Sequence, residues 1–337
     1  MGIRSYIYPV LVFLGLDASC AAIADETAWL QTRDQNPFVL GSGLPLLPQP
    51  LQQAGAWSID AQIDESNTQL ISSEPGRFPG DPGMHVVFGA ETRESRLTVG
   101  YALSADWTAR ASLGDEWIGV GFLDKFIQDF HRLVGAPQGF RGGRLGEKPP
   151  IIRVTDNGEV LYLLDHSGQA LAPLLFDLTR TWSVSDQTHY GLSLGVKLPT
   201  GDTARLSDTG DTGVSISAFG DWIVHDNFQI GARVGYLHSN GNDVLPTLAR
   251  SSVPYGDVYV RAPLIGNWSL QMQYDAHGEL YADAPNFLRY AGTYSFGLVR
   301  PIGTRSELTF GLTEDLPIDH TQDISFFVAF RFHPGGP

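Results

Sequence analysis

The chain has 337 residues, with 37 Asp and Glu against 22 Lys and Arg, a formal net charge of -15 and a single cysteine. That acidity excludes a nucleic-acid-binding surface, which needs basic charge. No apolar run reaches the length of about eighteen residues that a spanning helix requires, so helical membrane spans are excluded too; a β-barrel escapes that test because half of every wall strand is polar.

Residues 1–24 read as an export signal: Arg4, an apolar stretch from Tyr6 to Leu16, and Ala22-Ile23-Ala24 as the cleavage motif, which leaves Asp25 first in the mature chain. Ser19-Cys20-Ala21 offers a competing cut. Lipidation of Cys20 is disfavoured by Asp17, which stands where a lipobox carries an aliphatic residue. Cleavage after Ala24 removes the one thiol, so the mature protein needs neither a disulfide nor a Cys metal site. Residues 25–55 are rich in Pro, Gly, Gln and Leu, with Asn36-Pro37-Phe38 and Leu44-Pro45-Leu46-Leu47-Pro48 as landmarks. They predict an irregular segment, either periplasmic or an internal plug.

Residues 56–333 predict one all-β domain, a transmembrane antiparallel up-and-down barrel of about twelve strands. The first strand alternates Trp57, Ile59, Ala61 and Ile63 against Ser58, Asp60 and Gln62. Residues 65–95 read as a long loop built on Pro75-Gly76 and Pro79 to Gly83, into which His85 to Glu91 extend a strand. Leu97 to Tyr101 and Trp107 to Leu113 form a hairpin. The wall resumes at Leu174 to Trp182 and continues with Tyr190 to Leu198, Val214 to Trp222, Phe228 to Tyr236, Val258 to Ala262, Trp268 to Tyr274, Tyr290 to Leu298 and Leu308 to Leu312. The last strand, Asp323 to Phe332, sets Ile324, Phe326, Val328, Phe330 and Phe332 on one side and ends the chain on an aromatic. Short turns alternate with long loops, the asymmetry of periplasmic turns and extracellular loops. Trp57, Trp107, Trp182, Trp222 and Trp268 lie near strand ends, as an interfacial girdle would. The inner positions are small and polar, with Arg233, Arg289 and Arg331 among them.

The insert 114–172 departs from this pattern. Phe122, Leu123, Phe126, Ile127, Phe130, Leu133 and Val134 recur at helical spacing, opposite Asp124, Lys125, Gln128, Asp129, His131 and Arg132. They predict one amphipathic helix in an all-β chain, ended by Gly135. A hairpin is predicted at Ile151 to Val154 and Val160 to Leu163, turned by Asn157-Gly158.

Gly121-Phe122-Leu123-Asp124, Phe130-His131, Gly135, Arg141 and Arg144, together with Asn36-Pro37-Phe38, resemble the signature of an uncharacterised bacterial domain-of-unknown-function family of predicted outer-membrane proteins. Lys197-Leu198-Pro199-Thr200-Gly201-Asp202 is similar to a strand-to-loop motif of the phenol meta-pathway barrel family. The resemblance implies fold and outer-membrane location, and supplies no catalytic residues.

The expected function is to bind or pass a small molecule, a hydrophobic or aromatic one included, with the helical insert as plug or gate. Asp124, Phe126, Phe130, His131, Arg141 and Arg144 are the ligand or gate candidates. The alternatives are a structural or lipid-interacting barrel without transport and a lipid-acting hydrolase. The hydrolase would draw on His238-Ser239 with Asn240, or on His189 and His225 near Asp186 and Asp226, but no Gly-x-Ser-x-Gly elbow supports it, and the expectation is of no enzyme. Asp202, Asp208 and Asp211 form an acidic loop, yet Ala204 and Leu206 occupy positions where an EF-hand places oxygens. No metal or cofactor is expected. The expected partners are outer-membrane lipid, the barrel-assembly machinery through the last strand, and a small solute.

Overall fold

In the computed structural model, residues 29–51, 53–73, 83–135, 150–225 and 228–334 are described. Residues 1–24, expected as an export signal, lie outside them. Fifteen strands form one antiparallel sheet. They are β1 (Trp57–Ser73), β2 (Met84–Ala102), β3 (Trp107–Gly119), β4 (Ile151–Asp156), β5 (Glu159–Leu164), β6 (Gly168–Leu171), β7 (Leu174–Ser185), β8 (Thr188–Leu198), β9 (Gly213–His225), β10 (Phe228–Ser239), β11 (Ser252–Pro263), β12 (Ser269–His277), β13 (Ala291–Ile302), β14 (Ser306–Asp315) and β15 (Ile324–Phe332). Setting aside β4 to β6, the other twelve close on themselves, because β15 pairs with β1 from Ile59↔Phe332 to Asn67↔Ile324. Among the described residues two α-helices accompany them, α1 (Pro37–Leu40) and α2 (Leu123–Val134).

The predicted alternation determines the wall. Ile63, Leu97, Leu194, Ile216, Val258 and Val328 project outward and stay exposed, while Gln62, Thr98, Ser193, Ser217, Asp257 and Ser325 project inward and are buried. This is the reverse of a water-soluble barrel: apolar side chains on the outside can only be stable against lipid. The strand-end tryptophans form a girdle at the end with the short turns. Trp57 packs on Tyr101, Trp222 on Tyr190 and Trp268 on Phe310, and the Arg180 guanidinium lies over Trp107 and Trp182.

At the opposite end the chain departs from the predicted boundaries. Residues 65–73 and 92–95, expected as loop, join the predicted strand His85 to Glu91 in continuing β1 and β2 in unbroken register from Trp57↔Tyr101 to Ser73↔His85. Their inward side chains explain the extension: Leu70, Met84, Val86 and Phe88 are fully buried in a second, apolar core above the polar lumen. β4 pairs with the top of β2 and forms the predicted hairpin with β5, with Asn157 and Gly158 both at positive φ, 47° and 85°. β6, too short to show as a periodic pattern, pairs with β3. Ile152, Val154 and Leu164 from this extension join Leu206, Leu245, Tyr281 and Phe287 from the long loops in the same core, which caps the barrel.

Candidate functional site

The lumen is occupied by residues 29–51. The segment rises along the inner wall to α1 and descends again, so that both limbs lie inside the ring. Its sequence explains the shape. Asn36 caps α1 by accepting from the Phe38 N–H at 3.1 Å, Pro37 takes the first helical position, and Gly43 turns the chain at φ 69°. Asn36-Pro37-Phe38, singled out in the sequence as a signature, is the apex of this hairpin. The Asn36 side chain also donates to the Phe287 carbonyl at 2.8 Å, and Phe38 is buried in the cap against Tyr162 and Tyr281.

The polar inner wall supplies the hairpin's hydrogen bonds. On the rising limb, the Gln273 side chain holds the Leu30 backbone at both N–H and C=O, each at 3.0 Å. Thr32 donates to Asp275 at 3.1 Å, Arg33 pairs with Glu94, and Asp34 meets His277 at 3.0 Å. On the falling limb, Arg233 bridges Asp257, at 2.5 Å, and the Leu46 carbonyl, at 2.9 Å. Arg110 forms a bidentate pair with Asp177 and donates to Gln49 at 3.2 Å. Thr108 accepts from the Leu51 N–H at 2.9 Å. These buried charges are compensated by partners and by hydrogen bonds, without which each would cost several kcal/mol to bury. The lumen was therefore read correctly as polar, but it is richer in full charges than small polar residues alone would make it. Arg233 and Arg331 project into it as expected, Arg331 toward Asp60 and Glu307. Arg289 does not; it lies in the loop before β13, paired with Glu279.

Lys197 ties the hairpin to the acidic loop. Its ammonium is fully buried between Asp208 and Asp211, 2.9 Å from each, and donates to Thr209 at 2.5 Å. Thr209 in turn holds the Gly41 carbonyl through its N–H and its hydroxyl. Gly43 passes so close to the Lys197 stem that a Cβ would lie 2.6 Å from its Cδ. Two of the three carboxylates of the acidic loop, Asp208 and Asp211, thus have a resident cation in the lysine.

Among the described residues, cavities remain between hairpin and wall; two of them offer about 40 and 30 Å³, room for a few water molecules each. The first lies between the limbs and is lined by Leu44 to Leu47 and Tyr255 together with Arg33, Arg233 and Asp257, the Arg233 guanidinium lying over the Tyr255 ring. The second lies under the rising limb among Trp29, Leu30, Val299 and Phe327, together with Asp60, Arg96 and Arg331. Both are lined by apolar and charged side chains together. Gln271, buried in the wall of the second, has neither amide atom paired, and the Thr293 hydroxyl in the first is likewise unpaired.

The predicted gate residues lie elsewhere. Asp124 accepts hydrogen bonds from Asn67, at 3.1 Å, and from Gln69, which share the outward face of β1 with Ile63. Phe126 packs edge-on against Phe326, an outward residue of β15, with ring centres 6.2 Å apart. α2 therefore lies on the outside of the wall, and the expectation that it plugs the lumen is corrected: residues 29–51 hold that place. Phe130 and His131 are in α2, their side chains outside the described residues, as are Arg141 and Arg144. Missing from the sequence reading were the wall residues that seat the hairpin, Glu94, Arg110, Asp177, Lys197 and Gln273. Their signal was present as full charges and long amides at inward positions of strands otherwise rich in Ser, Thr and Gly. Of the groups weighed for hydrolysis, His238 meets Ser252 rather than Ser239, and His189 meets Ser183.

Residues 7–333 match a protein family described as a protein of unknown function, DUF3187. The chain belongs to this family. Comparison with curated proteins returns no match. Among solved structures it is similar to the COG4313 outer membrane channel from Pseudomonas putida F1, at 10% identity over 84% of this chain and 97% of that one, with a TM-score of 0.56. It is also similar to the NanC porin (11% identity, 81% and 98% covered, TM-score 0.46) and to the P. putida toluene transporter TodX (10% identity, 89% and 92% covered, TM-score 0.39). Closed twelve-strand wall, outward apolar face and polar interior together make this member of the family an outer-membrane β-barrel.

Proposed function

We propose that the protein is an outer-membrane channel for a small molecule, closed by its own N-terminal hairpin. The observation that carries this reading is the way residues 29–51 are seated. They are held by side-chain hydrogen bonds and ion pairs, and among the described residues no strand ladder joins them to the wall. The hairpin can shift or withdraw without opening the barrel. The COG4313 protein, described as an outer membrane channel, shares the fold and is consistent with passage through this one.

The cavities suggest the solute. Each is lined by apolar side chains together with ionised and amide groups, which suits a small molecule with an apolar or aromatic body and a polar end; Gln271 and Thr293 offer it unpaired hydrogen-bonding groups. Such a molecule would travel beside the hairpin rather than through a wide water column.

The test is permeability of proteoliposomes holding the mature chain, the same chain lacking residues 29–51, or the chain lacking residues 121–135. Swelling and ion conductance are expected to be low for the first and the third, and far higher for the second. A barrel without its hairpin that stays as tight as the whole chain would overturn the channel reading in favour of a structural barrel.

A further inference from the structure

α2 crosses the outer surface of the barrel over the seam where the first and last strands meet. Its N-terminus is held by Glu91 of β2, whose carboxylate accepts from the N–H of Phe122 at 2.8 Å and of Asp124 at 2.9 Å. Asp124 reaches Asn67 and Gln69 of β1, and Phe126 reaches Phe326 of β15. Leu123 and Ile127 are buried beneath the helix. The apolar arc does not end there. Phe122, Phe126 and Leu133 continue it, and they are 62%, 54% and 83% exposed.

The register of the seam gives that exposed edge a direction. Phe326 is paired with Glu65, whereas the Asp124 partners Asn67 and Gln69 lie further along β1 toward the extracellular rim. The Phe126 edge of the helix therefore points toward the membrane and the Asp124 edge away from it. Next below Phe326 on the same face come Val328 and Phe330, and next below Glu65 comes Ile63, all exposed in the apolar band of the wall. Above Ile63 the outward side chains of β1 and β2 turn polar: Glu65, Asn67, Gln69, Arg93 and Glu91. The helix lies where the apolar band gives way to this polar zone, with Lys125 and Arg132 exposed on its other face and Asp129, at the border of the exposed apolar edge, paired with Arg132.

We propose that α2 is a membrane-surface helix, docked on the barrel by one half of its apolar arc and on the acyl chains of the outer leaflet by the other half. Phe122, Phe126 and Leu133 enter the bilayer at its upper boundary, and Lys125 and Arg132 remain at the level of the headgroups. The occupant is lipid because the exposed edge is continuous with a surface that already faces lipid. A helix in the interface plane with an aromatic edge below and basic residues above is the arrangement that such binding favours.

Single-cysteine variants F122C, F126C, L133C, K125C and R132C, each in a C20S background and each carrying a nitroxide, would be reconstituted in vesicles of phosphatidylcholine and phosphatidylglycerol. Collisions with oxygen, which concentrates among acyl chains, are compared with collisions with a water-soluble nickel complex. The expected result is an oxygen-to-nickel ratio several-fold higher at 122, 126 and 133 than at 125 and 132. Equal ratios at all five positions would place the helix in water and overturn the proposal. Protection of 126 and 133 from both probes would overturn it as well, by showing a protein partner, such as a second copy, in place of lipid. Because the labels change one side chain at a time, a variant that no longer migrates as a heat-modifiable barrel is replaced by the tryptophan substitution at the same position, read by quenching with bromine-labelled lipid.

Discussion

The hairpin of residues 29–51 and helix α2 both lie off the barrel wall, and they ended up on opposite sides of it. The hairpin has no periodicity; its backbone and its Gln, Asn, Thr, Arg and Asp side chains find partners all round, which only an enclosed polar space can provide. α2 has a broad apolar arc and a charged face, and within the charged lumen that arc would have been left against ionised groups. Apolar continuity decides for the outside: an element goes to the solvent that matches its surface, and this barrel offers two solvents.

The comparison is tested most severely by removal. Deleting 29–51 should give the largest effect on permeability of any change here, while deleting 121–135 should leave it near that of the whole chain; the reverse ranking would return the plug to α2. Next in size are ion pairs from the two regions. Asp177→Ala strands the buried Arg110 guanidinium beside Gln49 and should cost about 3–5 kcal/mol, seen as an earlier loss of heat-modifiable migration. Arg132→Ala breaks an exposed pair with Asp129 on α2 and should cost about 0–1 kcal/mol. If the two match, the lumen is wetter than its geometry indicates.

Gly43→Ala should destabilise the hairpin's turn by about 1–2 kcal/mol, since the residue is left-handed, and by more if the Lys197 stem cannot yield; leak conductance of the variant checks it. Glu91→Ala removes the carboxylate that caps α2 and should cost about 1 kcal/mol, confined to faster amide exchange over residues 122–134 with the hairpin unaffected. The smallest effect is a pH dependence in the loop before β13. There the hydrogen bond from Arg289, opposed by slight burial and assisted by Arg250, holds the Glu279 carboxyl below its ordinary value of 4.5. A carboxyl lowered by folding stabilises above its unfolded pKa and loses that contribution as pH falls through the folded one. Protection of the amides of residues 278–290, their exchange taken relative to the intrinsic rate at each pH, should therefore fall below about pH 4.5 and stay flat above it. No change in that range would show that the clip is fully screened.

Much of this was legible in the residues. Alternation is enforced by geometry, so strands such as Thr188–Leu198 and Ile324–Phe332 declare their outer and inner faces one residue at a time, and Asn157-Gly158 declares its turn. The extension of β1 and β2 was less visible because Asn67, Thr68 and Gln69 carry no apolar alternation; their place in the sheet comes from pairing with β2 and from the cover that α2 lays over them. The seat of the hairpin was not visible at all. Arg110 and Asp177, Arg233 and Leu46, or Asp34 and His277 become neighbours only when the ring has closed, and no local pattern links residues so far apart.

By itself, then, the sequence determined a wall with two faces, the helical character of α2 and which ends of the strands carry the short turns, because each follows from a period or spacing within a few residues. Which segment fills the interior, and which lies on the outer surface, was decided by the closed barrel. Only closure creates an inside, and only then do inward charges and an apolar outer band compete for the hairpin and the helix.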